Sequence, residues 1–149
     1  SHLKGAFLVS REFFRRFRSA GLSKGSIINI SSDIGLVAPN QKVYEYRRKK
    51  GEDFYKPVAY SVAKAGMLGL TRWMAEYGSR LGIRVNAIAP SGVYNNQDPE
   101  FVKLYSERTM LGRMANIDEI NGMVLLLASD ASSYITGATI SVDGGVTAL

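Results

Sequence analysis

The sequence predicts an α/β fold in which about three parallel strands are flanked by helices. Three observations carry that prediction. Segments with helical spacing alternate with short apolar runs, in the order helix, strand, helix, strand, helix, helix, strand. The runs favour β-structure, as at Ile27, Ile28 and Ile30. A glycine or proline follows each run and breaks it. Alternation of this kind favours a parallel sheet joined by right-handed crossovers.

The first helix is expected from Leu3 to Arg18, where Leu3, Phe7, Phe14 and Phe17 recur at helical spacing. Arg15, Arg16 and Arg18 stand in its last turns, where cations oppose the dipole, and Gly21 follows as a stop. Ser26 to Ser31 is the first strand, ended before Gly35. Residues 39–57, Pro39 to Pro57, are polar, aromatic and charged, and are expected to form an inserted loop. A long helix follows from Val58 to Leu81, rich in Ala59, Ser61, Ala63, Ala65, Gly66 and Gly69, and Gly82 caps it. Glycine inside a helix costs about 1 kcal/mol against alanine, so close packing is the reason to keep two. Ile83 to Ala89 is a second buried strand, which Pro90 is expected to stop. After a loop from Ser91 to Pro99, Glu100 to Met110 reads as a short helix. Asn116 then caps another, with Asp118 and Glu119 in its first turn. Its core face is expected to be Ile120, Met123, Val124, Leu127 and Ala128. Ala138 to Val142 is the last strand, closed by Asp143-Gly144-Gly145.

Composition sets limits on function. The chain has 149 residues, 46% hydrophobic and 21% charged, which suits one globular domain with a real core. It has no cysteine and a single histidine, so disulfides, thiolate catalysis and Cys- or His-rich metal sites are excluded. The longest aliphatic run, Met123 to Ala128, is too short to span a membrane. No secretory signal is visible, and a cytoplasmic location is expected. The chain lacks an initiator methionine and reads as a fragment or processed piece, with Ser1-His2 compatible with a cloning remnant. The net charge of +6 suits a basic surface or an anionic ligand. No nucleic-acid motif surrounds the basic clusters Arg11–Arg18 and Arg47–Lys50, so no nucleic-acid partner is expected.

Three residues suggest chemistry. Tyr60 and Lys64 are four apart on the long helix and so share one face. A free tyrosine hydroxyl has a pKa of about 10, and a nearby ammonium favours its ionised form. Such a tyrosine exchanges a proton with a carbonyl or an alcohol. Ser32, at the C-terminal end of the first strand, can hydrogen-bond the same substrate oxygen, and that edge is where ligands sit in open α/β sheets. The pair alone is a weak signal. Tyr46 and Lys50 have the same spacing, in the charged loop, and are taken as a chance match.

The order of motifs is more specific. Asn29-Ile30-Ser31-Ser32, Tyr60-Ser61-Val62-Ala63-Lys64-Ala65-Gly66, Arg84-Val85-Asn86-Ala87-Ile88-Ala89-Pro90, Ile135-Thr136-Gly137 and Val142-Asp143-Gly144-Gly145 follow one another. Over nearly its whole length the chain resembles the C-terminal portion of the short-chain dehydrogenase/reductase family. The resemblance implies the C-terminal part of a Rossmann-type doubly wound parallel sheet, without the N-terminal Gly-rich nucleotide-binding half. No Gly-x-Gly-x-x-Gly occurs in the chain. It implies an NAD(P)-dependent oxidoreductase that interconverts a secondary alcohol and a ketone. Ser32 corresponds to the catalytic serine and Tyr60 to the general acid/base. Lys64 corresponds to the residue that favours the ionised tyrosine and binds the nicotinamide ribose. Pro90, Gly92 and Val93 correspond to the loop whose backbone meets the nicotinamide carboxamide.

Some positions depart from the family. Many members have glycine at position 91 and threonine at 95, where this chain has Ser91 and Asn95; Asn95 retains a side chain able to hydrogen-bond the cofactor. His2 stands where the family has an asparagine, and a histidine can position a water for proton relay. The interval from Ser32 to Tyr60 is longer than usual, with the excess at Gln41 to Tyr55. Tyr44, Tyr46, Arg47, Arg48 and Lys49 of that segment are candidates to touch a polar or anionic, sugar-like substrate. The long loop is similar to that of members associated with bacterial surface-sugar or flagellin modification. The resemblance implies NAD or NADP as cofactor, a small carbonyl or alcohol substrate, and a homodimer or homotetramer. A competing expectation is a truncated, non-catalytic chain that retains only the helical surfaces that pair subunits.

Overall fold

A computed structural model describes residues 2–149; Ser1 of the Ser1-His2 pair lies outside the described residues. Three strands form one sheet in the order β1-β2-β3, with both neighbouring pairs parallel. They are β1 (Gly25–Ile30), β2 (Ile83–Pro90) and β3 (Thr139–Val142). Helices α1 (His2–Ser19) and α3 (Val58–Ser79) pack together on one face. On the other, α5 (Asn121–Ala128) lies against β1 and β2. This is the three-stranded α/β arrangement the sequence predicts.

The main core lies between α1, α3 and the sheet. Phe14 and Phe17 from α1 meet Met74 and Ala75 from α3 over Ile83 and Val85 of β2. Each large side chain buried there contributes about 1.5–3 kcal/mol. Two motif asparagines prove to be buried ties. Asn29 Nδ2 donates to Thr71 Oγ1 at 2.9 Å, joining β1 to α3. Asn86 Nδ2 donates to Ile135 O at 2.8 Å and its Oδ1 accepts from Ala138 N–H at 3.0 Å, holding the approach to β3 against β2. Arg84 reaches across to the main chain at the end of α5, donating to Leu127 O at 3.0 Å.

Element boundaries differ from expectation where side chains intervene. β1 runs from Gly25 to Ile30, one residue earlier than predicted, because Ser31 turns its Oγ to Lys64 O at 2.8 Å. β2 does not stop before Pro90. Ala87 and Ser91 donate to β3 (to Ala138 O and Val142 O), so the N–H that proline lacks would face the β1 side, where β1 has already ended. Residues 39–57 are not a plain loop. Asn40 Oδ1 accepts from Lys42 N–H and starts a 3₁₀ turn, Gln41–Tyr44, that leads into a short helix α2 (Glu45–Lys49). Glu45 at its start and Arg47, Arg48 and Lys49 at its end suit the helix dipole.

Helix α4 (Pro99–Ser106) is capped by Asp98 and ends before the predicted Met110. Thr109 Oγ1 there donates to Ser106 O and accepts from Arg113 N–H, which turns the chain. The next helix starts at Asn121, not at a cap on Asn116. The Glu119 carboxylate is held by Arg113 and by Asn116 N–H, so residues 117–120 form a turn. Of its predicted core face only Leu127 is fully buried; Ile120, Met123 and Val124 are half-buried and Ala128 is exposed.

Candidate active site

Tyr60 lies in the first turn of α3, its N–H bonded to Pro57 O at 3.1 Å. Lys64 is one turn further along and buried. Its Nζ donates to Ile30 O at 2.8 Å, at the C-terminal end of β1, and stands 5.6 Å from the centre of the Tyr60 ring. Burial lowers the Lys64 pKa from its ordinary value. Gly35 lets this helix approach the turn after β1, since a Cβ there would lie 2.8 Å from Lys64 O.

Ser32 follows β1 and caps the 3₁₀ turn Asp33–Gly35. Its hydroxyl donates to Asp33 Oδ1 at 2.7 Å, an oxygen that also accepts from Ile34 N–H at 2.8 Å. Asp33 is almost wholly buried (1% exposed), and its second oxygen faces the end of β2. Asp33 Oδ2 accepts from Ser91 Oγ at 3.2 Å and from Tyr105 OH at 3.1 Å. Ser91 Oγ and Tyr105 OH lie 2.9 Å apart, so either can donate to the other in place of Asp33, and Gly92 N–H donates to Tyr105 OH at 2.9 Å. Burial, reinforced by Asp33, pushes the Tyr105 hydroxyl up to about 12, so it acts as a neutral donor. Ser91, which departs from the family pattern, therefore has a structural partner in Asp33.

The Pro90–Val93 segment leaves the C-terminal end of β2. Gly92 is confined by Tyr105 and Met114: an added Cβ would meet them at 2.7 and 2.9 Å. Val93 forms a bridge with Ala115, and its carbonyl accepts from Gln97 Nε2 at 2.8 Å. Its N–H makes no hydrogen bond among the described residues. Asn95 is exposed; its N–H bonds Gln97 Oε1 at 2.7 Å.

The structure gathers Ser32 and Lys64 at the end of β1, with Tyr60 beside Lys64. Through Asp33 it links Ser32 to the loop of Ser91 and Gly92. His2 packs edge-on to Tyr60, with ring centres 5.6 Å apart. Of the Tyr46–Lys50 pair only Tyr46 lies in α2; Lys50 follows it, with Nζ 5.1 Å from the Tyr46 ring and bonded to Asp98 at 3.4 Å on the surface. Most of the inserted candidates are consumed within the segment. Arg47 pairs with Glu52, and Arg48 donates to Phe54 O and Gln41 O. Tyr44 packs between Phe54 and Phe101.

Sequence reasoning missed Asp33, Lys56 and Tyr105. Asp33 adjoins Ser32, and Lys56 lies just before the helix of Tyr60, so both had local signals. Tyr105 had none, because its role depends on α4 folding back onto β2. Among the described residues no helix is long and apolar enough to cross a membrane, and no cluster of three or more His, Cys, Asp or Glu is placed to hold a metal.

A parallel sheet with helices on both faces, Ser32 just after β1 and Lys64 of α3 anchored at the end of β1 defines a Rossmann-type α/β protein. Comparison with known proteins agrees. A family sequence profile described as enoyl-(acyl carrier protein) reductase matches residues 1–147. The chain belongs to the short-chain dehydrogenase/reductase family. It is 36% identical over 144 residues to the post-translational flagellin modification protein A of Campylobacter coli, covering 97% of this chain and 54% of that one. It is 37% identical over 146 residues to trans-4-hydroxycyclohexanecarboxylate dehydrogenase of Sinomonas cyclohexanicum, covering 98% and 49%. Among solved structures, a short-chain dehydrogenase from Leptospira borgpetersenii with bound NAD+ superposes with a TM-score of 0.87 at 35% identity, covering 98% and 53%. A gluconate 5-dehydrogenase from Burkholderia cenocepacia, in complex with NADP and tartrate, gives 0.79 at 29%, covering 99% and 54%. The chain thus spans about half the length of these relatives.

The local chemistry fits a nicotinamide ribose and carboxamide. Lys64 spends one ammonium hydrogen on Ile30 O and has others to donate, and the Val93 amide has no partner among the described residues at the same sheet edge.

Proposed function

We propose that the whole protein is an NAD(P)-dependent oxidoreductase interconverting a secondary alcohol and a ketone, with Tyr60 as general acid/base. The observation that carries this reading is Lys64, buried and anchored to Ile30 O, with its ammonium beside the Tyr60 ring. In reduction Tyr60 gives its hydroxyl proton to the carbonyl oxygen, and in oxidation its phenolate takes the proton of the alcohol. Lys64 keeps its ammonium 5.6 Å from the centre of the Tyr60 ring. Ser32 holds the reacting oxygen once its hydroxyl hydrogen turns from Asp33 to the substrate. When bound, NAD or NADP supplies the hydride chemistry, with Lys64 on the ribose and Pro90, Gly92, Val93 and Asn95 along the nicotinamide side. The likeness to a gluconate dehydrogenase supports a polar, sugar-like substrate.

The test is Tyr60→Phe in the whole protein, assayed as NAD(P)H-linked turnover on a panel of secondary alcohols. Turnover should fall about 10²–10⁴-fold, the contribution of a positioned acid/base. The melting temperature should not move, because the Tyr60 hydroxyl makes no hydrogen bond among the described residues. Retained turnover would sink the assignment.

A specific observation also favours the subunit-pairing reading. Val9 of α1, and Val62 and Trp73 of α3, are exposed, and Trp73 stacks on Tyr77. These faces suit a homodimer or homotetramer. A non-catalytic chain retaining only that role would leave NADH and NADPH fluorescence unchanged on titration, whereas the oxidoreductase would change it.

A further inference from the structure

Lys56 differs from the paired cations of the inserted segment in lacking a partner, and from its exposed Lys42 and Lys49 in being half-buried. Arg47 pairs with Glu52, Arg48 is fixed on two carbonyls, and Lys50 pairs with Asp98. Lys56 is half-buried, yet among the described residues no carboxylate lies within 4.0 Å of it and its Nζ donates no hydrogen bond. Its position is nevertheless fixed. Lys56 N–H donates to Gln41 Oε1 at 2.9 Å, and its carbonyl accepts from Gln41 Nε2 at 3.4 Å. Pro57 follows as the residue that opens α3. The ammonium stands 4.2 Å from the centre of the Tyr60 ring.

The hollow in front of these residues has a volume of about 580 Å³. His2, Lys4, Lys56 and Tyr60 line it with an apolar wall of Leu3 and Ala63, and among the described residues no acidic side chain contributes. A half-buried ammonium without a counter-charge is costly to hold, and burial lowers the Lys56 pKa. Asp33 acts in the opposite direction on Lys56 only from beyond 4.0 Å, with no ion pair between them. Among the described residues the direct ion-pairing position at the Lys56 ammonium is therefore open to a ligand.

We propose that Lys56 receives an oxyanion of the substrate, a carboxylate or a phosphate, while the hydroxyl of the same molecule meets Tyr60. The proposal rests on the catalytic reading of Tyr60 and names its substrate class as hydroxy acids or phosphorylated alcohols. It also replaces the arginines of the insert with Lys56 as the anion-recognising group. The geometry of the mouth selects for charge through the basic hollow, with Gln41 holding Lys56 in register with Tyr60.

Limited acetylation of the whole protein, read lysine by lysine by mass spectrometry, tests this without turnover. Malonate and inorganic phosphate are the probes, with sodium chloride at matched ionic strength as the control. Either probe at about ten times its dissociation constant should slow modification of Lys56 about tenfold. The exposed Lys103 should be unaffected. Protection by malonate alone identifies the carboxylate class, and protection by phosphate alone the phosphate class. Equal rates for Lys56 in both probes and in chloride overturn the proposal. Tyr60→Phe keeps the ring beside Lys56 and should retain the protection, so loss of turnover in that variant and loss of anion binding are separate results.

Discussion

Ser32 donates its hydroxyl hydrogen to the buried carboxylate of Asp33 at 2.7 Å. The other oxygen of that carboxylate binds Tyr105 and Ser91, so one side chain aligns the serine at the end of β1 with the loop at the end of β2. The Ser32 hydrogen therefore points to Asp33 until a substrate oxygen competes for it. Asp33→Ala would remove the shared acceptor of the Tyr105 and Ser91 hydroxyls and free Ser32. The expected cost is about 1–3 kcal/mol, read as a lower urea midpoint at unchanged slope. Turnover of the whole protein should fall as well; an unchanged midpoint and rate would show that Asp33 aligns nothing.

Lys64 provides a second prediction. Lys64→Met deprives Ile30 O of its side-chain donor and removes the cation beside Tyr60. Stability should drop by about 1 kcal/mol, while turnover falls more than about a hundredfold. Lys64→Arg should not rescue the rate, because a planar five-donor group does not reproduce a compact ammonium. Steady-state rates with circular dichroism as a folding control decide the matter.

Gly92 is close-packed. In Gly92→Ala the new methyl would press on the Tyr105 ring at 2.7 Å and on Met114 Cε at 2.9 Å. Overpacking of this kind costs about 1–3 kcal/mol. It also pulls the Gly92 N–H from Tyr105 OH. Thermal melting should show the loss, and NADH titration of the whole protein should show weaker binding. A variant that melts and binds as the parent does would contradict the packing described.

The Arg113–Glu119 pair predicts a response to acid. Arg113 and the Asn116 N–H lower the Glu119 pKa from 4.5 to about 2. A carboxylate lowered by folding contributes stability above its unfolded value, and that contribution is lost as pH falls from about 4.5 through about 2. Glu119→Gln should flatten the pH dependence of stability in that window. Because both side chains are largely exposed, added salt should shrink the difference. Denaturant titrations at several pH values and two salt concentrations check both points.

The alternation of periods in the chain was enough to specify three parallel strands and their helices, because burial of one face or stripe repeats along the sequence. Tyr60 and Lys64 were legible for the same reason: their spacing on one helix places them together whatever surrounds them. Boundaries were less legible where one side chain redirected the backbone, as Ser31 does at β1, Thr109 after α4 and Glu119 before α5. The insert showed its charge in the sequence but not its pairing, so Arg47 and Arg48 looked available when Glu52 and two carbonyls already hold them. Asp33, Ser91 and Tyr105 come from three separated segments, and no local pattern announces a contact between them. Their network exists only once β1 and β2 lie side by side and α4 folds back, since a buried carboxylate must collect its donors from whatever the packed chain brings within reach.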